Sequence, residues 1–151
     1  DDSWWQPGVG PELARLLRDR NAAWVIADEP PKHLAGLAVD AREAANEYTP
    51  RSPILTGDWF YLRWIGRHEQ FPDLAQERLD PSHRLRWWAD KLLDVLDGGR
   101  VREIIGFFNN GYSGHSPAAL RHMRRLLGLP QSDTPAERAE QQRKSELLFD
   151  V

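Results

Sequence analysis

The sequence contains no cysteine, which excludes disulfides and the thiolate-bound zinc and iron–sulfur sites that depend on one. A chain without cysteine suits a reducing cytoplasm, and that is the location expected. No apolar run approaches the roughly 20 residues of a membrane-spanning helix, so no membrane partner is expected. The first residues, Asp1-Asp2-Ser3-Trp4-Trp5, have neither the basic start nor the apolar stretch of a secretory signal, and they lack a methionine. Charge of one sign is not in excess: a net charge of -3 gives no electrostatic case for nucleic acid. Arg78, Arg84, Arg86, Arg121, Arg124 and Arg125 make some segments basic, but they are interleaved with acids and read as solvated helix faces. The glycines match neither a P-loop nor a dinucleotide fingerprint. The five histidines, His33, His68, His83, His115 and His122, show no metal-ligand spacing such as i, i+4 on a helix, so no metal site and no cofactor is expected.

What is present is one domain's worth of chain, 151 residues with 40% apolar and 28% charged side chains. Pro11 to Arg20 predicts a helix, with proline at its first position and Leu13, Leu16 and Leu17 on one face. Ala22 to Ala27 predicts a short buried strand ending on Asp28. Residues 29 to 57 form a long connection with prolines at each end and a helical turn or two expected around Asp40 to Tyr48. Trp59 to Ile65 predicts a second strand, and Gly66 to Asp80 a loop. Ser82 is placed to cap the next helix, whose apolar stripe is Leu85, Trp88, Leu92, Leu93 and Leu96 and which Gly98-Gly99 stops. Val101 to Phe108 is the third strand. Ser116-Pro117 opens a helix carrying Leu120, Met123, Leu126 and Leu127, closed by Gly128. Thr134-Pro135-Ala136-Glu137 has the pattern of a capping box for a last, mostly polar helix.

This order of elements predicts the α/β class, with parallel strands joined by crossover helices. The domain expected spans residues 1–130, and residues 131–151 form a C-terminal helix or tail. Three parallel strands leave two open edges and one uncovered sheet face. Two architectures stand open on these grounds: a small three-layer α/β domain, or less than half of a (β/α)₈ barrel of roughly 250 residues.

The most informative stretch runs from Thr56 to Arg67. Its strand, Trp59-Phe60-Tyr61-Leu62-Arg63-Trp64-Ile65, is followed by Gly66-Arg67, and the third strand ends in Phe107-Phe108-Asn109-Asn110. Together with Ser3-Trp4 and the strand-ending Ala27-Asp28, these motifs resemble the YecE-like family, domain of unknown function 72, over about Ser3 to Gly128. The resemblance implies the C-terminal portion of a TIM (β/α)₈ barrel, with the three strands as the sixth to the eighth. It also implies that the N-terminal barrel half, or self-association, is needed to cover the open strand edges, and that the chain expressed alone self-associates. Two positions depart from the family's pattern. Ile65 stands where a histidine is common, with His68 beyond the arginine instead, and Gly111 stands where an acid is usual.

In such a barrel the site lies at the C-terminal ends of the strands. Asp28, Arg63, Arg67, Asn109 and Asn110 are the expected ligand-binding residues. Alternation puts Tyr61, Arg63 and Ile65 on one face and Phe60, Leu62 and Trp64 on the other. The apolar face is expected on the helices, which turns Arg63 inward and makes Asp28 its expected partner, since a buried guanidinium needs one. That pair reads first as structure; the alternative is an anion site, where the forked donors of Arg63 and Arg67 hold a phosphate or carboxylate. His68 and His115 lie in loops beside it and are the candidate catalytic acids or bases. The first reading is therefore a site for a small anionic ligand, with hydrolysis as the candidate reaction. The alternatives are a non-catalytic binding protein and an inactive fragment whose polar cluster is structural.

Overall fold

The computed structural model describes residues 7–29, 54–66, 71–131, 135, 138 and 139. Helix α1, Val9–Arg18, opens the chain and is followed by strand β1, Val25–Asp28. Strand β2, Trp59–Trp64, leads through a loop to helix α2, Ser82–Asp97. Strand β3, Glu103–Phe108, ends in a single 3₁₀ turn, Asn110–Tyr112, before helix α3, Ser116–Leu126. The strands form one parallel sheet in the order β1-β2-β3. This is the α/β arrangement that the alternation of elements predicts, and each element starts or stops within a few residues of its expected bounds. The helical turns expected around Asp40 to Tyr48, the Ser3-Trp4 motif and most of the last helix lie outside the described residues.

Alternation along the strands decides what the sheet buries. Phe60, Leu62 and Trp64 of β2 and Ile26 of β1 are all buried on one face, with Trp88, Leu85 and Leu92 of α2 against them. Gly106 of β3 makes room on that face: a Cβ there would lie 2.7 Å from the Trp64 ring. The Trp64 ring thus passes close over the strand and stacks on Phe108 at 4.0 Å between centroids and 3° between planes. Trp88 meets it edge-on at 6.2 Å.

The far ends of the strands are tied by side chains near β1 and β2. Asn21 adopts a left-handed conformation that asparagine tolerates. Its amide donates to Asp58 Oδ1 at 2.7 Å, while its Oδ1 accepts from the Asp58 N–H at 2.8 Å. Thr56 Oγ1 accepts from the Trp24 N–H at 2.8 Å and donates to the Ala22 carbonyl at 2.7 Å. These bonds fix the start of β2 against the start of β1 across the long connection.

Three helix details differ from expectation. The first residue of α2, Ser82, makes no side-chain cap. Asp80 supplies that function, accepting from both the Ser82 N–H at 2.9 Å and the Ser82 hydroxyl. Those two hydrogen bonds hold the Asp80 carboxyl below its ordinary pKa. The buried stripe of α2 is Arg84, Leu85, Trp88, Ala89 and Leu92, whereas Leu93 and Leu96 are exposed. The 3.6-residue period allows either side of the Leu85–Trp88–Leu92 line, and the helix rolls toward Arg84 because a carboxylate waits there. On α1 and α3 the small residues Ala14 and Ala119 are buried while Leu16 and Leu120 face outward.

Candidate functional site

The register of the sheet sorts the expected site residues onto two faces. Asp28 lies beside Trp64 and Phe108, and Ala27 lies beside Arg63 and Phe107. Side chains in one cross-strand row point the same way. Asp28 therefore points with Trp64 toward the helices, and Arg63 points to the opposite side. The expected Arg63–Asp28 pair does not form. Two residues in adjacent rows of a sheet cannot meet through it.

Asp28 is wholly buried and fully engaged. It forms an ion pair with Arg84 of α2 through Oδ1. Its Oδ2 accepts from Trp88 Nε1 at 2.9 Å and from the Tyr112 hydroxyl at 3.0 Å. The Arg84 guanidinium also lies 4.7 Å above the Tyr112 ring, where the ring's negative face favours a cation. Burial, with the Asp28 carboxylate adding to it, pushes the Tyr112 phenol far above its usual pKa, while Arg84 opposes the shift. Tyr112 therefore stays protonated and donates. This cluster joins the end of β1, the first turn of α2 and the loop after β3. The reading of Arg84 as part of a solvated face is corrected by it: Arg84 is 6% exposed. Its signal in the sequence is the spacing Arg84, Trp88, Leu92, which places the arginine on the apolar stripe.

Arg63 is exposed on the other face, without an ion pair or hydrogen bond among the described residues. Its surroundings are Ala27 on one side and Phe107 on the other. Below it on the same face stand Val25, Tyr61 and Ile105, then Trp59 and Glu103. Val25 is 48% exposed and Phe107 53% exposed, so this apolar face has no cover among the described residues. Glu103 is four rows away, about 13 Å along the strand. That distance is beyond the reach of an ion pair with Arg63.

The loops at the C-terminal ends of β2 and β3 are locked together. The Asn109 N–H donates to the Trp64 carbonyl at 2.8 Å, and the Ile65 N–H donates to the Asp28 carbonyl at 3.1 Å. Gly66 has φ +68°, and a Cβ on it would lie 2.1 Å from the Gly111 carbonyl oxygen. Only glycine permits that approach. The motif Ile65-Gly66 thus sits directly against the Asn109–Tyr112 turn. Gly111 is the residue that Gly66 approaches most closely.

Asn110 accepts through Oδ1 from the Ser116 N–H at 2.9 Å, so it ties its loop to the start of α3. The Asn109 side chain is half-buried and makes no hydrogen bond among the described residues. His115 is the residue before α3, half-buried, with no oriented hydrogen-bond partner among the described residues. Arg67 and His68 lie outside the described residues. Among the described residues no cluster of acidic and histidine side chains could hold a metal ion, and no helix is long and apolar enough to cross a membrane.

Known proteins bear on this geometry. The family model described as protein of unknown function DUF72 matches residues 1–144. Two crystal structures of a DUF72 family protein from Enterococcus faecalis V583 are similar in fold. One has 15% identity and a TM-score of 0.56, covering 88% of this chain and 46% of its own. The other has 18% identity and a TM-score of 0.58, covering 86% and 47%. A DUF72 family protein from Thermotoga maritima MSB8 has 26% identity and a TM-score of 0.50, over 82% of this chain and 41% of its own. The chain therefore spans less than half the length of these solved relatives. No curated protein matches it.

Proposed function

Since the chain belongs to the DUF72 family, we propose that it is the C-terminal part of a TIM-barrel protein that binds a small anionic ligand. The anion, a carboxylate or a phosphate, is held at the C-terminal ends of the strands by Arg63. One observation carries this reading: among the described residues the Arg63 guanidinium stands exposed and without a side-chain partner, flanked by Ala27 and Phe107, with Glu103 four rows away on the same face. A guanidinium in such surroundings attracts a carboxylate or phosphate more strongly than one in open water, because apolar walls screen charge poorly. Asn109, whose side-chain amide has no partner among the described residues and lies beside the same strand ends, orients the ligand. Arg67 is the proposed second cation on the ground of its place in the Gly66-Arg67 motif. Asp28 and Asn110 do not face the ligand, because the first is closed in by three donors and the second caps a helix.

His115 has no oriented partner among the described residues that would make it an acid or a base. The open face, and the edges of β1 and β3 that pair with no further strand among the described residues, call for the N-terminal barrel half or a second copy as cover. The cysteine-free composition suits a cytoplasmic location for this binding.

The test is a calorimetric titration of acetate and of inorganic phosphate into the chain and into its Arg63→Ala variant. A charge-assisted hydrogen bond contributes about 1.5–3 kcal/mol, so the substitution is expected to weaken binding roughly ten- to a hundredfold. An affinity unchanged by Arg63→Ala overturns the proposal.

A further inference from the structure

Resting on the anion-site reading, we infer that Tyr112 is a positioning residue for the ligand: its hydroxyl on Asp28 fixes the turn that presents Asn109 beside Arg63. Tyr112 does not touch the ligand. It stands on the helix side of the sheet with Asp28, and the site lies on the other side.

Alternation places Asn109. Phe107 shares a row, and therefore a side, with Arg63. The chain is still extended at Asn109, with φ -84° and ψ 148°, so its side chain returns to the side of Phe107 and Arg63. Both polar residues stand at the C-terminal strand ends, where a barrel keeps its mouth open although its sheet face is covered. From Asn109 the backbone crosses the end of the sheet. The 3₁₀ turn Asn110–Tyr112 carries it to the helix side, where Tyr112 is buried against Phe108, Arg84 and Asp28. Asn109 and Tyr112 are thus the two ends of one turn, on opposite sides of the sheet.

The two ends are joined directly. The Asn109 carbonyl accepts from the Tyr112 N–H at 3.1 Å, while the Asn109 N–H donates to the Trp64 carbonyl at 2.8 Å. A shift of Tyr112 therefore pulls on the Asn109 peptide. On the helix side, the hydroxyl bond of 3.0 Å to Asp28 Oδ2 is the one side-chain hydrogen bond that Tyr112 makes among the described residues. Asp28 is itself fixed by Arg84 and Trp88. The Asn109 amide, held in this way with no partner among the described residues, keeps its donors and its acceptor for a ligand. A side chain ordered before the ligand arrives binds it more tightly than one ordered on binding, by about two- to tenfold.

The experiment is a double-mutant cycle of Tyr112→Phe and Asn109→Ala, read by calorimetric titration of inorganic phosphate and of acetate, with Arg63→Ala alongside. Tyr112→Phe keeps the ring and removes only the hydroxyl. It is expected to weaken anion binding about two- to tenfold, and to change the affinity no further once Asn109 is alanine. Urea unfolding reads stability separately, and there Tyr112→Phe is expected to cost the same in both backgrounds. In the unaltered chain, saturating phosphate is expected to slow hydrogen exchange at the Tyr112 N–H, because coupling between ligand and turn is reciprocal. A tyrosine that only holds the fold would lower stability and leave the affinity alone, or weaken binding equally with and without Asn109. Either result, or an unchanged exchange rate at Tyr112, overturns the inference while the anion site stands. If Arg63→Ala leaves both affinities unchanged, or neither anion binds the parent chain, the anion site itself falls and this inference falls with it.

Discussion

Replacing Asp28 by alanine is expected to destabilise the fold by about 3–5 kcal/mol, the cost of leaving one member of a buried ion pair alone. Asp28 is the only carboxylate against the Arg84 guanidinium among the described residues, and both side chains are buried. Among the described residues the Arg84 Nε has no hydrogen-bond partner, so the loss of Asp28 would leave the cation with the Tyr112 ring as its one described partner. Trp88 and Tyr112 would lose their acceptor in the same step. A total stability of about 5–15 kcal/mol for a domain makes such a loss a large fraction of the whole. Urea unfolding of the variant measures it. The double variant Asp28→Leu with Arg84→Met provides the internal control. It removes both charges, so the share of the loss due to a lone buried cation should return, while the share due to the Trp88 and Tyr112 donors left without an acceptor should remain. A loss under 1 kcal/mol in Asp28→Ala would show that the cluster is not the anchor described here.

The second large effect is expected at Gly66. An alanine there would place its Cβ 2.1 Å from the Gly111 oxygen, 2.3 Å from the Gly111 carbonyl carbon and 2.4 Å from the Tyr112 Cα. These are backbone atoms, which no rotamer change can move. The residue also has φ +68°, a conformation that L residues adopt only at a cost of about 1–2 kcal/mol. Overpacking adds roughly 1–3 kcal/mol. Gly66→Ala should therefore cost about 2–5 kcal/mol and displace Tyr112 from Asp28, with a loss of the near-ultraviolet aromatic signal. Gly99 separates the two causes: it has nearly the same backbone, φ +66°, with nothing within 4 Å of a Cβ. Gly99→Ala should show the backbone cost alone. Equal losses in the two variants, by thermal unfolding, would refute the close approach of the two loops.

Much of the architecture is legible in the sequence because it depends on local signals. Glycines at the helix ends, proline near helix starts and alternation in β2 place the elements. They also put Phe60, Leu62 and Trp64 on the helix side, as found. The partner of Asp28 is not legible by the same means. Asp28 has the parity of Ile26, which would have placed it on the helix side, but its relation to Arg63 depends on the register between strands. Register is set by contacts distant in sequence, such as Thr56 with Trp24 and Asn21 with Asp58. The choice between a charge and a leucine for the stripe of α2 is a tertiary matter too: Arg84 turns inward because Asp28 is there. The two phenylalanines that end β3 part for a related reason. Of two adjacent phenylalanines only one can face the core, and Phe108 is the one that stacks on Trp64.

Asp28 holds the fold through Arg84, Trp88 and Tyr112, whereas Arg63 has no side-chain partner among the described residues and is proposed to hold the ligand. The most direct test is the unfolding free energy of Arg63→Ala in urea without ligand. An exposed side chain away from any partner should change stability by no more than about 0.5 kcal/mol, leaving the unfolding curve superimposable on that of the parent chain. A loss of several kcal/mol would mean that Arg63 is a buried, paired structural ion after all, and would contradict the account.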